Sequence, residues 1–371
     1  MRTDVPTRRQ LNRATLARQM LLAREEVSAV EAVERLCGLQ AQEAKPPFIG
    51  LWTRVAGFRR EDLHRGLHGR AVVRATLMRA TLHLMGATDY AVFRPALQPV
   101  MTQALRVLGT RGEGLDLDRV MPVARGLLGE RPLTFEELRP LLVESFPQVN
   151  DRALGYAVRT HLPLVMVPTQ DRWGFPAPAP FTLAESWLDA PLSDDPGATQ
   201  ALVLRYLAAF GPATAADVQT WSGLQGMKRV LDGLRPNLSV FKDERGRELF
   251  DLPDAPRPDA ETSAPPRFLP EFDNLVLSHA DRTRVLADEH RGLVVTKNLR
   301  VRATFLWDGF VTGTWQVERK RQAATLRITP FGPLPRDASD ALAAEGDALL
   351  RFVEEDASSF AVEVGDPVSS G

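Results

Sequence analysis

Gln40 and Gln42 stand one alanine apart in "LCGLQAQEAKPP", between a helical pattern and a double proline. If the chain runs extended after Gly38, residues two apart point the same way, and the two carboxamides share a face. Each amide offers an acceptor oxygen and an NH2 donor. Together they can hold a water molecule and stabilise a developing cation through their oxygens. They cannot serve as a strong general base, because carboxamides do not titrate usefully. Such a pair suits a reaction whose leaving group needs little help. Hydrolysis of the N-glycosidic bond of an alkylated purine is one example, since alkylation at N7 or N3 makes the base cationic and it departs without protonation. The alternative use is structural, with both amides bonded to backbone in a turn.

Other chemistry is poorly represented. There is no Walker-type or dinucleotide glycine motif and no GxSxG elbow. The i,i+4 pair His64 and His68 has neither a third ligand nor an HExxH context, so it reads as two exposed helical histidines. The one cysteine, Cys37, excludes an intramolecular disulfide framework and sits on an apolar helical stripe as a small core residue. No lysine adjoins the glutamine pair to form a Schiff base, which argues against a lyase step. No metal or redox cofactor is called for.

Charge adds a partner. The 371 residues carry a net charge of −1, but unevenly. Lys45 to Thr110 holds ten Lys/Arg against three Asp/Glu, and Leu334 to Gly371 holds two Arg against nine Asp/Glu. A basic segment and an acidic tail suggest a polyanion, met by lysine and arginine at its phosphates. The plainer reading is a solvated arginine-rich face. No apolar run approaches the ~18 residues of a membrane span. "MRTDVPTRRQ" is followed by no apolar stretch, so neither a signal peptide nor a membrane partner is expected, and the cytoplasm is the default.

The elements that must position these residues repeat. "LNRATLARQMLLAREEV" and "SAVEAVERLCGLQ" read as helices, the second with Ser28 and Glu31 as a capping box. "EDLHRGLHG" is a short helix, and "AVVRATLMRATLHLM" a hairpin along which Arg74, Arg79 and His83 alternate. The order returns in "LTFEELRPLL", with Thr134 and Glu137 as a second capping box, and in "NDRALGYAVRTHL", capped by Asn150. "PLVMVPTQDRWGF" then reads as two strands. It returns again from "TQALVLRYLAAFG" to the hairpin "LSVFKDERGRELFDLP". Helices followed by a hairpin, three times over, is a winged-helix pattern. After the proline-rich "PDAPRPDAETSAPP" the chain becomes strand-like, with Asp308-Gly309 as a hairpin turn and "ERKRQ" as a basic hairpin tip. An acidic amphipathic helix closes it.

"LNRATLARQMLL", "LCGLQAQ", "LWTR", "RATLMRATLHL" and "FLPEFDNLVLSHADRTR" resemble the AlkZ/YcaQ family of bacterial DNA glycosylases, and the resemblance covers essentially the whole chain. It implies an α+β fold of three tandem winged-helix units, residues 1–110, 111–190 and 191–258, plus a C-terminal antiparallel β domain, residues 259–371. Together these form a C-shaped channel for double-stranded DNA carrying alkylated bases. The family excises alkylated purines, and some members unhook interstrand crosslinks or protect against an alkylating natural product. Its signature is Gln-x-Gln in the AlkZ-like branch and Gln-x-Asp in the YcaQ-like branch. Gln40-Ala41-Gln42 matches the former and makes Gln40 and Gln42 the catalytic pair. The family also brings a basic C-terminal hairpin to the DNA, which assigns Arg319, Lys320 and Arg321 as contacts. Arg74, Arg79 and His83 are expected to line the channel, Asp273 and Asn274 to fold the linker onto the β domain, and Tyr156 and Trp173 to pack in the core or wing. A monomer at the nucleoid is expected. The rivals are a winged-helix transcriptional regulator that binds DNA without chemistry, and a protein that sequesters the alkylating agent.

Overall fold

The structure, a computed structural model, describes residues 5–368. The first four residues of "MRTDVPTRRQ", and the last three of the chain, lie outside the described residues.

The first helix, Arg8–Arg18, opens on a capping box between Thr7 and Gln10. It is polar and yet largely buried, because its polar side chains bind distant parts of the chain. Arg18 forms a two-pronged ion pair with Asp251 at 2.6 and 2.9 Å. Asn12 donates to the carbonyls of Arg284 and Gly309, both at 2.8 Å. Arg9 and Arg13 reach Asp308, and also the carbonyls of Ala260 and Thr262 in the proline-rich linker. A buried guanidinium is tolerated only when paired and hydrogen-bonded, so these contacts make the helix a strut between the middle and the end of the chain.

The helix Ala29–Arg35 is capped by Ser28, whose side chain accepts from the Glu31 amide. Strand β1 (Leu39–Gln40) follows, pairing with β3 (Leu82–Gly86). β3 and β2 (Val72–Thr76) form the expected hairpin. β4 (Leu164–Met166) pairs with β2, and β5 (Phe181–Leu183) with β4, all antiparallel. The order is β1-β3-β2-β4-β5, so the first two helix-and-hairpin regions share one sheet. The helices of the second region are Leu117–Glu130, Phe135–Ser145 and Asp151–His161, with the Thr134–Glu137 box and the Asn150 cap in place. The strand expected to turn back through Trp173 and Phe175 is instead a loop, closed by a bond from the Thr169 amide to the Gly174 carbonyl at 2.8 Å. Trp173 leaves the sheet because it packs edge-on against Phe48, with ring centroids 5.3 Å apart.

Ala198–Phe210, Ala215–Ser222 and Met227–Leu234 form the third set of helices, followed by the hairpin of β6 (Ser239–Lys242) and β7 (Glu248–Asp251). The second large sheet runs β12-β11-β10-β9-β8, from β8 (Arg267–Leu269), β9 (Thr304–Trp307), β10 (Phe310–Lys320), β11 (Ala323–Pro330) and β12 (Ser359–Val364). Asp308 and Gly309 make the turn between β9 and β10 with positive φ of 48° and 81°. β12 was not expected, and it lies parallel to β11. The parallel pairing is possible because the helix Arg336–Val353 supplies the long crossover between the two strands. Among the described residues no helix is long and apolar enough to cross a membrane.

The charge asymmetry is partly consumed inside the fold. Glu345 pairs with Arg24 and Arg267, Glu354 with Lys45 and Arg319, Glu355 with Arg60, and Asp356 with Arg172 and Arg319. The acidic tail therefore neutralises one part of the basic segment and leaves another part free.

Candidate active site

The segment carrying the glutamines is held from three directions. After the helix Ala29–Arg35 the chain reverses through Cys37 and Gly38, at φ 53° and 83°. A Cβ on Gly38 would sit 2.8 Å from the Leu84 carbonyl oxygen, so the close approach to β3 requires glycine. Pairing continues past β1, with the Ala41 amide donating to the Leu82 carbonyl at 2.7 Å. The run is therefore paired through Ala41, and Gln42 follows in a bend. From the far end of the sequence, Asn274 donates to the Gly38 carbonyl at 2.6 Å and accepts from the Gln40 amide at 3.3 Å. Its neighbour Asp273 forms a buried, two-pronged ion pair with Arg54 at 2.8 and 2.9 Å. Asn274 thus holds the glutamine segment directly, and Asp273 anchors the same turn to Arg54, beyond the expected folding of the linker onto the β domain. The sequence carried "FDN" as part of a resemblance, but nothing in it revealed partners more than 200 residues away.

The two amides are unequal. Gln40 is only 8% exposed, and its Oε1 accepts from Arg79 Nη2 at 2.6 Å. Gln42 is exposed, and its Oε1 makes one long contact, 3.4 Å, with the Leu82 amide. Arginines lie on both sides. Arg74 donates from Nε to the Ala41 carbonyl at 2.9 Å and from Nη2 to the Gln42 carbonyl at 3.2 Å. Arg159 reaches Thr76 Oγ1 at 3.3 Å. Nε and Nη1 of Arg282 are buried without a partner. Burial, reinforced by the positive charge of Arg159, lowers the pKa of Arg74 to about 10. Burial and Arg282 do the same to Arg79. These guanidiniums bond to neutral oxygens or to nothing, unlike the paired arginines elsewhere. An acidic rim adjoins them. Glu43 pairs with Arg300 at 2.9 Å, and the Glu271 carboxyl is pushed up by burial and by Glu43.

The three residues expected to line the channel are all engaged within the protein. His83 stands opposite Gln40 in the sheet and is fully buried. Its Nδ1 donates to the Thr81 carbonyl at 3.0 Å. Burial, with Arg79 beside it, lowers its pKa to about 3, so it is neutral at physiological pH and offers no charge to a phosphate. Arg79 is also spent on the protein, bonding Gln40 and the Trp221 carbonyl. Arg74 is buried beneath the glutamine segment and lies over the Phe175 ring at 4.9 Å.

The basic hairpin tip lies where expected, at the β10–β11 turn. There Lys320 and Arg321 are exposed, whereas Arg319 is drawn back by Asp356 at 3.5 Å and Glu354 at 3.6 Å. His64 and His68 lean on the carbonyls of Arg172 and Thr169, at 3.3 and 3.2 Å, and stitch their helix to that loop.

A sheet-bound Gln40 and an exposed Gln42 thus stand in an arginine-rich setting. Residues 33–352 match the family model described as DNA glycosylase AlkZ-like, and the chain belongs to that family of DNA glycosylases. Among curated proteins, the interstrand DNA cross-link repair glycosylase of Streptomyces sahachiroi is 27% identical over 341 residues, covering 85% of this chain and 88% of the relative. The solved structure of DNA glycosylase AlkZ from Streptomyces sahachiroi superposes with a TM-score of 0.81 at 24% identity, over 97% of this chain and 99% of that chain. The mixed α/β fold with antiparallel sheets is thus a shared one, and a purely regulatory role is disfavoured.

Proposed function

We propose that this chain is a monofunctional glycosylase for cationic N7- or N3-alkylpurines in double-stranded DNA, with Gln40 and Gln42 as the catalytic pair. The C1′–N bond breaks with its electron pair passing to the base, which leaves neutral. Water adds to the resulting oxocarbenium-like sugar and releases a proton to solvent. The glutamine amides orient that water without titrating. The single observation carrying this reading is the pair itself: one amide in the edge strand locked by an arginine, the other open in the bend that follows, between guanidiniums that lack carboxylate partners.

In this reading the three helix-and-hairpin regions are tandem winged-helix units, 1–110, 111–190 and 191–258. With the β domain 259–371 they form a C-shaped monomer around DNA in the cytoplasm, at the nucleoid. Lys320 and Arg321 contact phosphates from the hairpin tip, with Arg319 as a weaker contact, and Arg74 reinforces the field from beneath the site. Such contacts set register and affinity without reading sequence. Crosslink unhooking is included because the curated relative is named for it. Incubation with duplexes carrying N7-methylguanine, or an interstrand crosslink through N7, tests the reading. Release of free base with an intact abasic strand is expected. Binding without release overturns it, and strand cleavage by the enzyme overturns the monofunctional part.

A further inference from the structure

Arg79 is expected along the DNA-facing channel from its place in the first hairpin, but its geometry serves a different purpose. It sits in a tight turn, Met78–Ala80, and both Arg79 and Ala80 hold positive φ, 55° and 56°. Non-glycine residues enter that region at a cost, so two in succession mark a backbone held in place by its surroundings. Gly223 supplies part of that constraint. It lies just past the helix Ala215–Ser222 at φ 83°, and a Cβ there would stand 2.9 Å from Val100 Cγ1 and 3.4 Å from both N and Cα of Arg79. The guanidinium bridges two elements, with Nη1 donating to the Trp221 carbonyl and Nη2 to Gln40 Oε1 at 2.6 Å. Arg79 therefore links the third set of helices to the catalytic strand.

We propose that Arg79 is a positioning residue of the excision site, which fixes the Gln40 carboxamide oxygen-inward and thereby divides the pair into a donor, Gln40, and an acceptor, Gln42. The proposal rests on the assignment of Gln40 and Gln42 as the excision pair. Arginine has donors and no acceptor, so it selects the amide oxygen and turns Nε2 the other way. Charge-assisted donation to the oxygen also polarises the amide and strengthens its N–H groups as donors. Among the described residues Gln40 Nε2 has no protein partner, so it is left for the reaction. Gln42, whose oxygen is engaged only at 3.4 Å, retains acceptor capacity. One water can accept from Gln40 and donate to Gln42, leaving a lone pair aimed at the sugar carbon. Two equivalent amides would not impose that polarity.

The test compares Arg79→Met, Arg79→Lys, Gln40→Ala and the double variant Arg79→Met/Gln40→Ala on N7-methylguanine duplexes. Single-turnover excision by Arg79→Met is expected to fall at least about tenfold, a typical penalty for a misplaced catalytic group, with DNA affinity and the salt dependence of binding unchanged. Arg79→Lys, which keeps a donor, should recover part of the rate. The double variant should excise no more slowly than Gln40→Ala, within about threefold, because residues acting as a unit are not additive. Additive losses, or a salt slope lowered by about one as for a lost phosphate contact, overturn the proposal.

A second readout needs no catalysis. In nitrogen-labelled protein the Gln40 side-chain amide signal, identified by its loss in Gln40→Ala, should shift and exchange faster in Arg79→Lys. An unchanged signal overturns the proposal. If the wild-type protein releases no base from any alkylated duplex, the excision reading fails, and the amide comparison alone then decides whether Arg79 orients Gln40.

Discussion

The Gln40–Gln42 segment and the β10–β11 hairpin tip are both assigned to one reaction, yet they are built in opposite ways. The glutamine segment is held by a glycine-only turn, by strand pairing, by Asn274 on its backbone and by Arg79 on its side chain. Beneath it lies the ion pair of Arg54 and Asp273, whose side chains are 0% and 1% exposed. At the tip, Lys320 and Arg321 project into solvent, and only Arg319 is restrained. Attack on a sugar carbon tolerates errors of a fraction of an ångström, so its groups need fixed positions. Attraction to a polyanion acts over a Debye length of about 10 Å at moderate salt, and needs charge within reach rather than geometry.

The contrast can be broken most sharply at the buried ion pair. Asp273→Ala strands the Arg54 guanidinium in the interior, and breaking such a pair costs about 3–5 kcal/mol. Denaturant unfolding should show that loss, whereas removal of any charge at the tip should leave stability nearly unchanged. If Asp273→Ala unfolds at the wild-type midpoint, the segment is not held as described.

Next in size is the chemistry. Gln42→Ala and Gln40→Ala should each lower single-turnover excision at least about 100-fold, as expected for a hydrogen-bonding group matched to a transition state. Duplex affinity should stay within threefold, or about 0.6 kcal/mol. Full excision by either variant would remove the water-positioning role.

A smaller effect concerns pH. His83 has its pKa lowered to about 3 in the folded chain, against an ordinary value of about 6.5. The unfolded chain therefore binds the extra proton first as pH falls. Stability from this group is complete above about pH 6.5 and declines from there towards pH 3, reaching a loss of about 2 kcal/mol at pH 5. Thermal unfolding from pH 7.5 to 5 should show the decline, and His83→Gln should flatten part of it. An identical slope in the variant would mean that His83 does not titrate in that window.

The smallest effects belong to the tip. Lys320→Ala and Arg321→Ala should each weaken duplex binding modestly and reduce its salt slope by about one, with the excision rate of the bound complex unchanged. Arg319→Ala should do less, because Glu354 and Asp356 already occupy its charge. An equal response at all three positions would show that those carboxylates do not hold Arg319 in solution.

Much of the architecture was legible in local residue order. The Thr134 and Asn150 caps, the β2–β3 hairpin and the Asp308-Gly309 turn depend on interactions between near neighbours. The strand expected at Trp173 failed because a distant aromatic, Phe48, claimed the side chain. β12 was missed because its parallel partner lies across a whole helix. The same division runs through the site. Gln-x-Gln was visible as two residues of one type at strand spacing, and "ERKRQ" as a run of charge. The burial of His83, the withdrawal of Arg319 and the engagement of Arg79 were not visible, because charge along a chain does not say which carboxylate or carbonyl will stand opposite.

The sequence by itself determined the chemical capacity of this protein: two neutral amides one residue apart, an arginine-rich stretch, and a basic hairpin. Those follow from residue type and spacing, which local backbone geometry converts directly into direction. Only the tertiary structure decided which amide is locked and which is open, and which arginines remain unpaired. Those properties belong to contacts between residues such as Gln40 with Arg79, and Arg54 with Asp273, which chain folding alone brings within hydrogen-bonding distance.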